Sequence, residues 1–325
     1  MVYENNDRVF QAADSVYNNL VAASKQLGIK IEEPYWIELK KENDRRELDA
    51  EIRQYIGGGQ FRHPTMVLAV FQRESNYEMF KEVMLQYSIP SQVVTLRNAS
   101  KFNLSKATNI IRQVNSKAGG DLYYLKFPEV LDKKRTMLIG IDVCHAGPKS
   151  VVGFCCSINK EMSQYSSEHF IQPKGKEIVQ DGMKEALMKA IKSFASLNGG
   201  EFPTNYVIYR DGVGDAQRLQ VLSKEIPQFE AAINSMYNKA AYKPELTVVV
   251  VNKRISQRFF VKDERGQLRN PDPGCIIDKD LVEDHGPDSP KFDFYLTPSK
   301  ANQGCVLPTH FYVPKNDSCL KKFDI

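Results

Sequence analysis

The chain is 325 residues long, 42% hydrophobic and 26% charged, with a formal net charge of +4. That is the balance of a folded soluble protein with room for two domain cores, and its mild positive charge permits a polyanionic partner without requiring one. No run approaches the ~20 apolar residues that span a bilayer, and no charged-then-apolar leader opens the chain, which argues against a membrane partner and for a cytoplasmic or nuclear protein. The six cysteines show no CxxC or Cys/His ligand spacing. Cys144, Cys155 and Cys156 lie in apolar runs and read as buried, reduced thiols.

Residues 9–27 carry Phe10, Val16, Leu20 and Val21 near helical spacing and predict an amphipathic helix. Residues 40–62, charged and then glycine-rich (IGGGQF), read as an exposed connection. A regular alternation follows: strand 65–71 (TMVLAVF), helix 76–87, strand 91–96 (SQVVTL), helix 104–120 and strand 122–127 (LYYLKF). Strands alternating with helices imply a parallel sheet. The fold class is therefore α/β, with residues 1–133 forming a Rossmann-like domain that begins with a linker-like segment and closes at the charged EVLDKKRT.

From residue 136 the order changes. Three strand-like runs, TMLIGIDVC, SVVGFCCSI and EHFIQP, precede a helix over 177–197 and a strand, NYVIYRD. Three strands, a helix and a fourth strand are the order of a ribonuclease-H-like domain, assigned to residues 134–325. In that layout the first and fourth strands lie side by side and bring Asp142 and Asp211 together. The last residues, KKFDI, follow HFYVPKND with no closing helix, so a piece of a longer protein is expected.

An acid inside the apolar run MLIGIDVCHAG is costly to bury unless it is paired or bound to a metal, and Asp211 repeats the arrangement where Gly212 ends a strand. A lone strand-end Asp is a common turn former. Two of them on adjoining strands point to a shared hard cation, Mg²⁺ or Mn²⁺, and to two-metal phosphodiester cleavage. Further ligands must come from later in the chain. Glu177 is either such an acid or a first-turn carboxylate that complements a helix dipole; His310, in LPTHFYV, is either a packed histidine or an imidazole ligand. Lys253, Arg254 and Arg258, continued by Lys262, Arg265 and Arg269 and interleaved with Phe259 and Phe260, form either a solvated hairpin or a strip that tracks nucleic-acid phosphates. In the first domain Tyr77 and Lys81 stand at i, i+4 on one helix and Gln113 and Lys117 on another, with Gln92 at the start of a strand. Such pairs are common on helix faces. Yet both helices follow parallel strands, where open α/β sheets form ligand crevices, and the group suits a terminal phosphate.

Taken in order, IGIDVCHAG, YRDGVGD, VVVVNKRISQRFF, PGCIIDKDLV and LPTHFYV resemble the MID and PIWI modules of Argonaute-superfamily proteins, strongly from about residue 65 onward. GIDVCH, with Ile before Asp, and Gln113, where the Ago branch has Lys, are similar to the Piwi branch. The resemblance implies a Rossmann-like MID domain and a ribonuclease-H-like PIWI domain lacking its last part, with the amino-terminal and PAZ domains missing. It also implies a piRNA-like guided RNA endonuclease acting in gene or transposon silencing. The implied catalytic tetrad is Asp142, Glu177, Asp211 and His310, with Glu177 arriving on a mobile finger and Asp142, Asp211 and His310 ligating Mg²⁺ or Mn²⁺. Lys176 departs from the family's usual Gln. Tyr77, Lys81, Gln92, Gln113 and Lys117 would grip the 5′ phosphate of a guide small RNA, Tyr77 stacking on its first base. Gln113 is associated in that family with a Mg²⁺ completed by the C-terminal carboxylate. A complementary target RNA and silencing-complex proteins are the implied partners. Three rival readings remain: a guide-holding silencing protein that recruits partners without cutting, a guide-free nuclease or transposase of the same fold, and an inactive fragment.

Overall fold

In the computed structural model, which describes residues 1–41, 44–58, 63–132, 134–145, 147–237, 243–283, 285–286 and 289–325, two compact units are present, Met1–Tyr123 and Tyr124–Ile325. The first contains β1 (Val2–Glu4), α1 (Asp7–Gln26), β2 (Ile37–Leu39), α2 (Arg45–Gly57), β3 (Val67–Phe71), α3 (Asn76–Gln86), β4 (Ser91–Thr95), α4 (Leu96–Ala99) and α5 (Leu104–Lys117). Its strands are all parallel, in the order β2-β1-β3-β4. Every residue of β3 is buried, as a parallel strand covered on both faces requires. Val67, Ala69 and Phe71 meet Leu48, Ile52, Phe80 and Met84 on one side, while Leu68 and Val70 meet Val9, Val16, Ala107 and Ile111 on the other.

Local chemistry sets the helix ends. The Asn6 side chain accepts the Arg8 N–H and caps α1. The buried stripe of α1 runs through Val9, Ala13, Val16, Leu20 and Ala23, whereas Phe10, expected in it, turns out to pack on Tyr3 and Trp36. Residues 40–62 are not a bare connection, because α2 lies within them. Asp44 caps it by accepting from the N–H groups of Arg46 and Glu47, and Leu48 and Ile52, at i, i+4, are its only buried residues among those described. Two apolar anchors in a charged stretch are too few to show as periodicity. Gly59 to Arg62, the end of that stretch, lie outside the described residues. Residues 122–127 form no strand, and Leu122, Tyr123, Tyr124 and Leu125 are exposed.

The second unit contains α6 (Glu129–Asp132), β5 (Thr136–Cys144), β6 (Lys149–Ser157), β7 (Tyr165–Pro173), α7 (Met183–Leu197), β8 (Asn205–Asp211), α8 (Arg218–Gln220), α9 (Ile226–Met236) and β9 (Glu245–Asn252). It continues with β10 (Val261–Lys262), β11 (Leu268–Arg269), β12 (Ile276–Ile277), β13 (Phe292–Leu296) and β14 (Thr309–Asn316). The segment 124–132 belongs here and not with the first domain, because Leu131 is buried with Val207 and Leu320; residue 133, the expected boundary, lies outside the described residues. One sheet runs β12-β13-β14-β9-β8-β5-β6-β7, with β5, β8 and β9 parallel and β6 and β7 antiparallel to their neighbours. This is the ribonuclease-H-like order, following a Rossmann-like domain. Ile139, Ile141, Ile208, Val248 and Val250 pack one face of the sheet against Leu187, Ile191, Phe194 and Phe229 of α7 and α9.

The expected start of α7 at Glu177 is corrected to Met183. Gly182 sits at φ +100, and a Cβ there would come within 2.9 Å of the Phe170 ring. Helical backbone cannot extend back through that residue, so residues 174–182 cross from β7 to α7 without regular structure. The cysteines are all free, but Cys144 is exposed and Cys155 only half-buried, so Cys156 alone of the three is a buried thiol, with a pKa that burial pushes up to about 12. Among the described residues no helix is long and apolar enough to cross a membrane.

Candidate active site

Ile141 of β5 pairs with Arg210 of β8, so the next residues on these parallel strands, Asp142 and Asp211, lie side by side on one face at the end of the sheet. Both line a pocket of about 610 Å³, together with Gly140, Cys155, Glu168 and Lys253. Asp142 is exposed and not buried as expected, and its Oδ1 accepts the Val143 N–H at 2.8 Å. Asp211 has a cation beside it, since Lys253 Nζ stands 2.6 Å from its Oδ2. Glu168, from β7, is ion-paired with Lys189 at 3.3 Å.

Glu177 reaches the same place from the irregular 174–182 segment. Its side chain is 15% exposed, with Oε1 3.0 Å from Arg210 Nη1 and Oε2 3.0 Å from His145 Nε2. The glycine that ends β8 makes room for it. Gly212 lies at φ +90, and a Cβ built there would meet Glu177 Oε1 at 3.1 Å and Asp142 Oδ1 at 3.8 Å. Two carboxylates thus flank one small volume that any side chain at position 212 would fill. The helix-dipole account of Glu177 falls away, because it precedes no helical turn.

His310 is not brought to this pocket. Phe311 pairs with Val251 and shares the face of Asp211, whereas His310 pairs with Asn252 and points to the opposite face. There it is 6% exposed, with Nε2 2.8 Å from Asp293 Oδ2 and Nδ1 3.3 Å from Arg218 Nη2. Guanidinium only donates, so Nδ1 accepts and Nε2 carries the proton to Asp293. Burial pushes the Asp293 carboxyl up, but the hydrogen bond from His310 and the Glu283 N–H outweigh it, so it is held below the usual carboxylate range. The alternating pleat decides against the tetrad role: one residue's shift in register changes faces.

The donor set of Asp142, Asp211 and Glu177 is all carboxylate oxygen, which suits hard Mg²⁺ or Mn²⁺. Lys253 supplies positive charge at Asp211, the kind of neighbour a cation would displace. Among the described residues no group of three or more His, Cys, Asp and Glu side chains is gathered closely enough to hold a metal. The basic segment after β9 is exposed at Lys253, Arg254 and Arg258, and Arg258 donates to the carbonyls of Ile255 and Gln257. Only residues 261–269 of it form a hairpin, β10 with β11.

In the first unit Lys81 and Lys117 converge on the start of β4. Lys81 Nζ donates to Ser91 O and Oγ at 2.7 and 2.8 Å, and Lys117 Nζ to the same Ser91 O at 2.9 Å and to Gln92 Oε1 at 2.7 Å. Burial lowers the pKa of both lysines, and the neighbouring Lys117 lowers that of Lys81 further. Neither has a carboxylate partner among the described residues. Two ammonium groups on one neutral carbonyl are a site that an anion would relieve. Tyr77 lies beneath Lys81, its ring centroid 5.6 Å from the ammonium, and is half exposed. Gln113, one turn before Lys117 on α5, is exposed.

The sequence reading missed Arg210, Glu225, His145 and Ser91. Arg210 had a signal: a charge inside the β-run VIYRD must find a buried counter-charge. Glu225, which is wholly buried and 3.0 Å from Arg210 Nε, is that partner.

Residues 65–324 match the Piwi domain. The chain belongs to the Piwi branch of the Argonaute superfamily. It is 32% identical to Piwi-like protein 1 of Gallus gallus over 319 residues, covering 97% of this chain and 35% of that protein. It is 34% identical to protein argonaute-3 of Drosophila melanogaster over 316 residues, covering 94% and 34%. The chain thus spans about a third of the length of the curated relatives it matches. Among solved structures, Drosophila Piwi superposes with a TM-score of 0.81 at 21% identity over 99% of this chain and 42% of that one. Kluyveromyces polysporus Argonaute with a guide RNA gives 0.79 at 20% identity over 99% and 39%. The Piwi family therefore has its MID–PIWI fold in this chain, with the carboxylate pair at the end of adjoining strands of its ribonuclease-H-like sheet.

Proposed function

We propose that the protein to which this chain belongs is a small-RNA-guided RNA endonuclease of the Piwi type, acting in gene or transposon silencing. The observation that carries the reading is the side-by-side placement of Asp142 and Asp211 at the end of adjoining strands, with Glu177 facing Asp142 across Gly212. A divalent cation, if held by these carboxylates, would supply positive charge for the scissile phosphoryl group and for the attacking water. Asp142 and Asp211 would hold it, and Glu177 would close the set from its docked position. Lys253, displaced from Asp211, with Arg254 and Arg258 beside it, would follow the phosphates of the paired strand. In the first unit Lys81 and Lys117 would take the 5′ phosphate of the guide with Gln92 and Gln113, and Tyr77 would stack on the first base. Base pairing would then read the target while the protein reads backbone and helix shape, as in other RNA-guided systems. The Kluyveromyces relative, solved with a guide RNA, supports guide binding as the shared feature.

A second reading, a guide holder that recruits partners without cutting, is favoured by the placement of His310 on the far face, which takes it out of the expected ligand set. Single-turnover cleavage of a fully paired RNA by the full-length protein, with and without Mg²⁺, separates the two. Asp211→Ala is expected to abolish cleavage and leave affinity for a 5′-phosphorylated guide unchanged. Cleavage at the parental rate in that variant removes the endonuclease reading.

A further inference from the structure

Glu177 sits on backbone with no regular structure of its own, so the place of its carboxylate depends on what holds residues 174–182. Arg210 and His145 hold the carboxylate itself. The chain on its C-terminal side is held from the helical layer by two other side chains. Glu225 Oε1 accepts the Val179 N–H at 2.8 Å. Gln228 does more. Its Nε2 donates to Val179 O and Gln180 O, both at 3.0 Å, and to Lys224 O at 3.0 Å, while its Oε1 accepts the Met183 N–H at 3.3 Å.

The local fold aims these two residues together. Residues Val221–Glu225 form a π-turn that runs straight into α9, and Pro227 opens that helix without an N–H to donate. Glu225 and Gln228, at i, i+3, then share the face that looks onto the 177–183 segment. No other side chain in this layer satisfies backbone groups on both sides of Gly182, where the chain turns through φ +100 to enter α7, among the hydrogen bonds of the described residues. Gln228 is also half-buried beside a second pocket, of about 510 Å³, shared with Asp181, Lys184 and Ala231. Water can therefore fill the space of a trimmed side chain, and its loss does not open the core.

We propose that Gln228 is a positioning residue for Glu177: its carboxamide clamps the backbone from Val179 to Met183 onto α9 and thereby fixes the Glu177 carboxylate beside Asp142 and Asp211. The proposal rests on the cleavage reading above. It concerns the amide group and not the volume, so Gln228→Leu should behave as Gln228→Ala does. In the full-length protein loaded with a 5′-phosphorylated guide, both variants are expected to lower the single-turnover cleavage rate at saturating target about ten- to a hundredfold, the range for a catalytic group displaced by an ångström or less. Guide and target affinities should stay at their parental values, and hydrogen exchange at the amides of Val179 and Met183 should accelerate. A parental rate in both variants, unchanged exchange, or a fall in rate matched by lost target affinity overturns the clamp. Glu177→Gln serves as the control for the reading beneath it. If that variant cleaves normally, the cleavage role of Glu177 fails, and the positioning role with it; if it is inactive while the Gln228 variants cut normally, only the clamp fails.

Discussion

Removing Arg210 should be the most damaging single change in the second unit. Its side chain is 1% exposed and lies 3.0 Å from both the Glu225 and the Glu177 carboxylates, with Glu225 itself wholly buried. Arg210→Met keeps most of the volume but strands the Glu225 charge away from water. Breaking a buried pair from one side costs about 3–5 kcal/mol, whereas replacing both partners by neutral groups is often close to neutral. The double variant Arg210→Met/Glu225→Gln keeps an acceptor for the Val179 N–H, so it should recover on the order of 2–4 kcal/mol of the loss. Fluorescence is the wrong assay, because Trp36, the one tryptophan, is packed in the first unit. Hydrogen exchange at the amides of β8 and β9 through a denaturant series reads the right element. Equal destabilisation in the single and double variants would refute the reasoning, since lost packing and not stranded charge would then explain both.

His310→Ala should destabilise the second unit without changing the metal dependence of cleavage. The Asp293 carboxyl, held below its usual range by His310, contributes stability that is present above pH ~4 and lost as pH falls through its lowered value, so the deficit of the variant should shrink in acid melts. For Lys81 and Lys117 the sign is reversed. Their lowered pKa values mean that the charged pair opposes folding at neutral pH, a cost relieved as pH rises from those values to the ordinary ~10.4. Lys117→Met should therefore stabilise the first unit at pH 7 by calorimetry, while weakening 5′-phosphorylated RNA more than hydroxyl-ended RNA in a filter-binding assay. Tyr77→Ala should weaken the grip on a stacked first base by about 1–3 kcal/mol and Tyr77→Phe should not, because the ring face and not the hydroxyl is used. Equal affinities for all three would dismiss the stacking role.

Much of the fold was legible because its signals are local. The buried run of β3, the strand TMLIGIDVC and the alternation of strands with helices each sit in one stretch of chain, and hydrophobic burial sorts them without reference to distant residues. The α2 helix was hidden because its two core contacts lie in a charged segment, and LYYLKF misled because its apolar residues find no partner strand. Asp142 and Asp211 were legible together, since strand order alone makes them neighbours.

What the sequence determined unaided was which residues can be acids, cations and strand formers, and roughly in what order they appear along the chain. Tertiary structure decided which face each one serves. His310 and Phe311 are adjacent in the chain but look to opposite sides of the sheet, and Glu177 gains its place from Arg210, His145 and the backbone clamp, all distant in sequence. Register and long-range hydrogen bonds are set by the packing of the whole unit, and no local pattern of residue types encodes them.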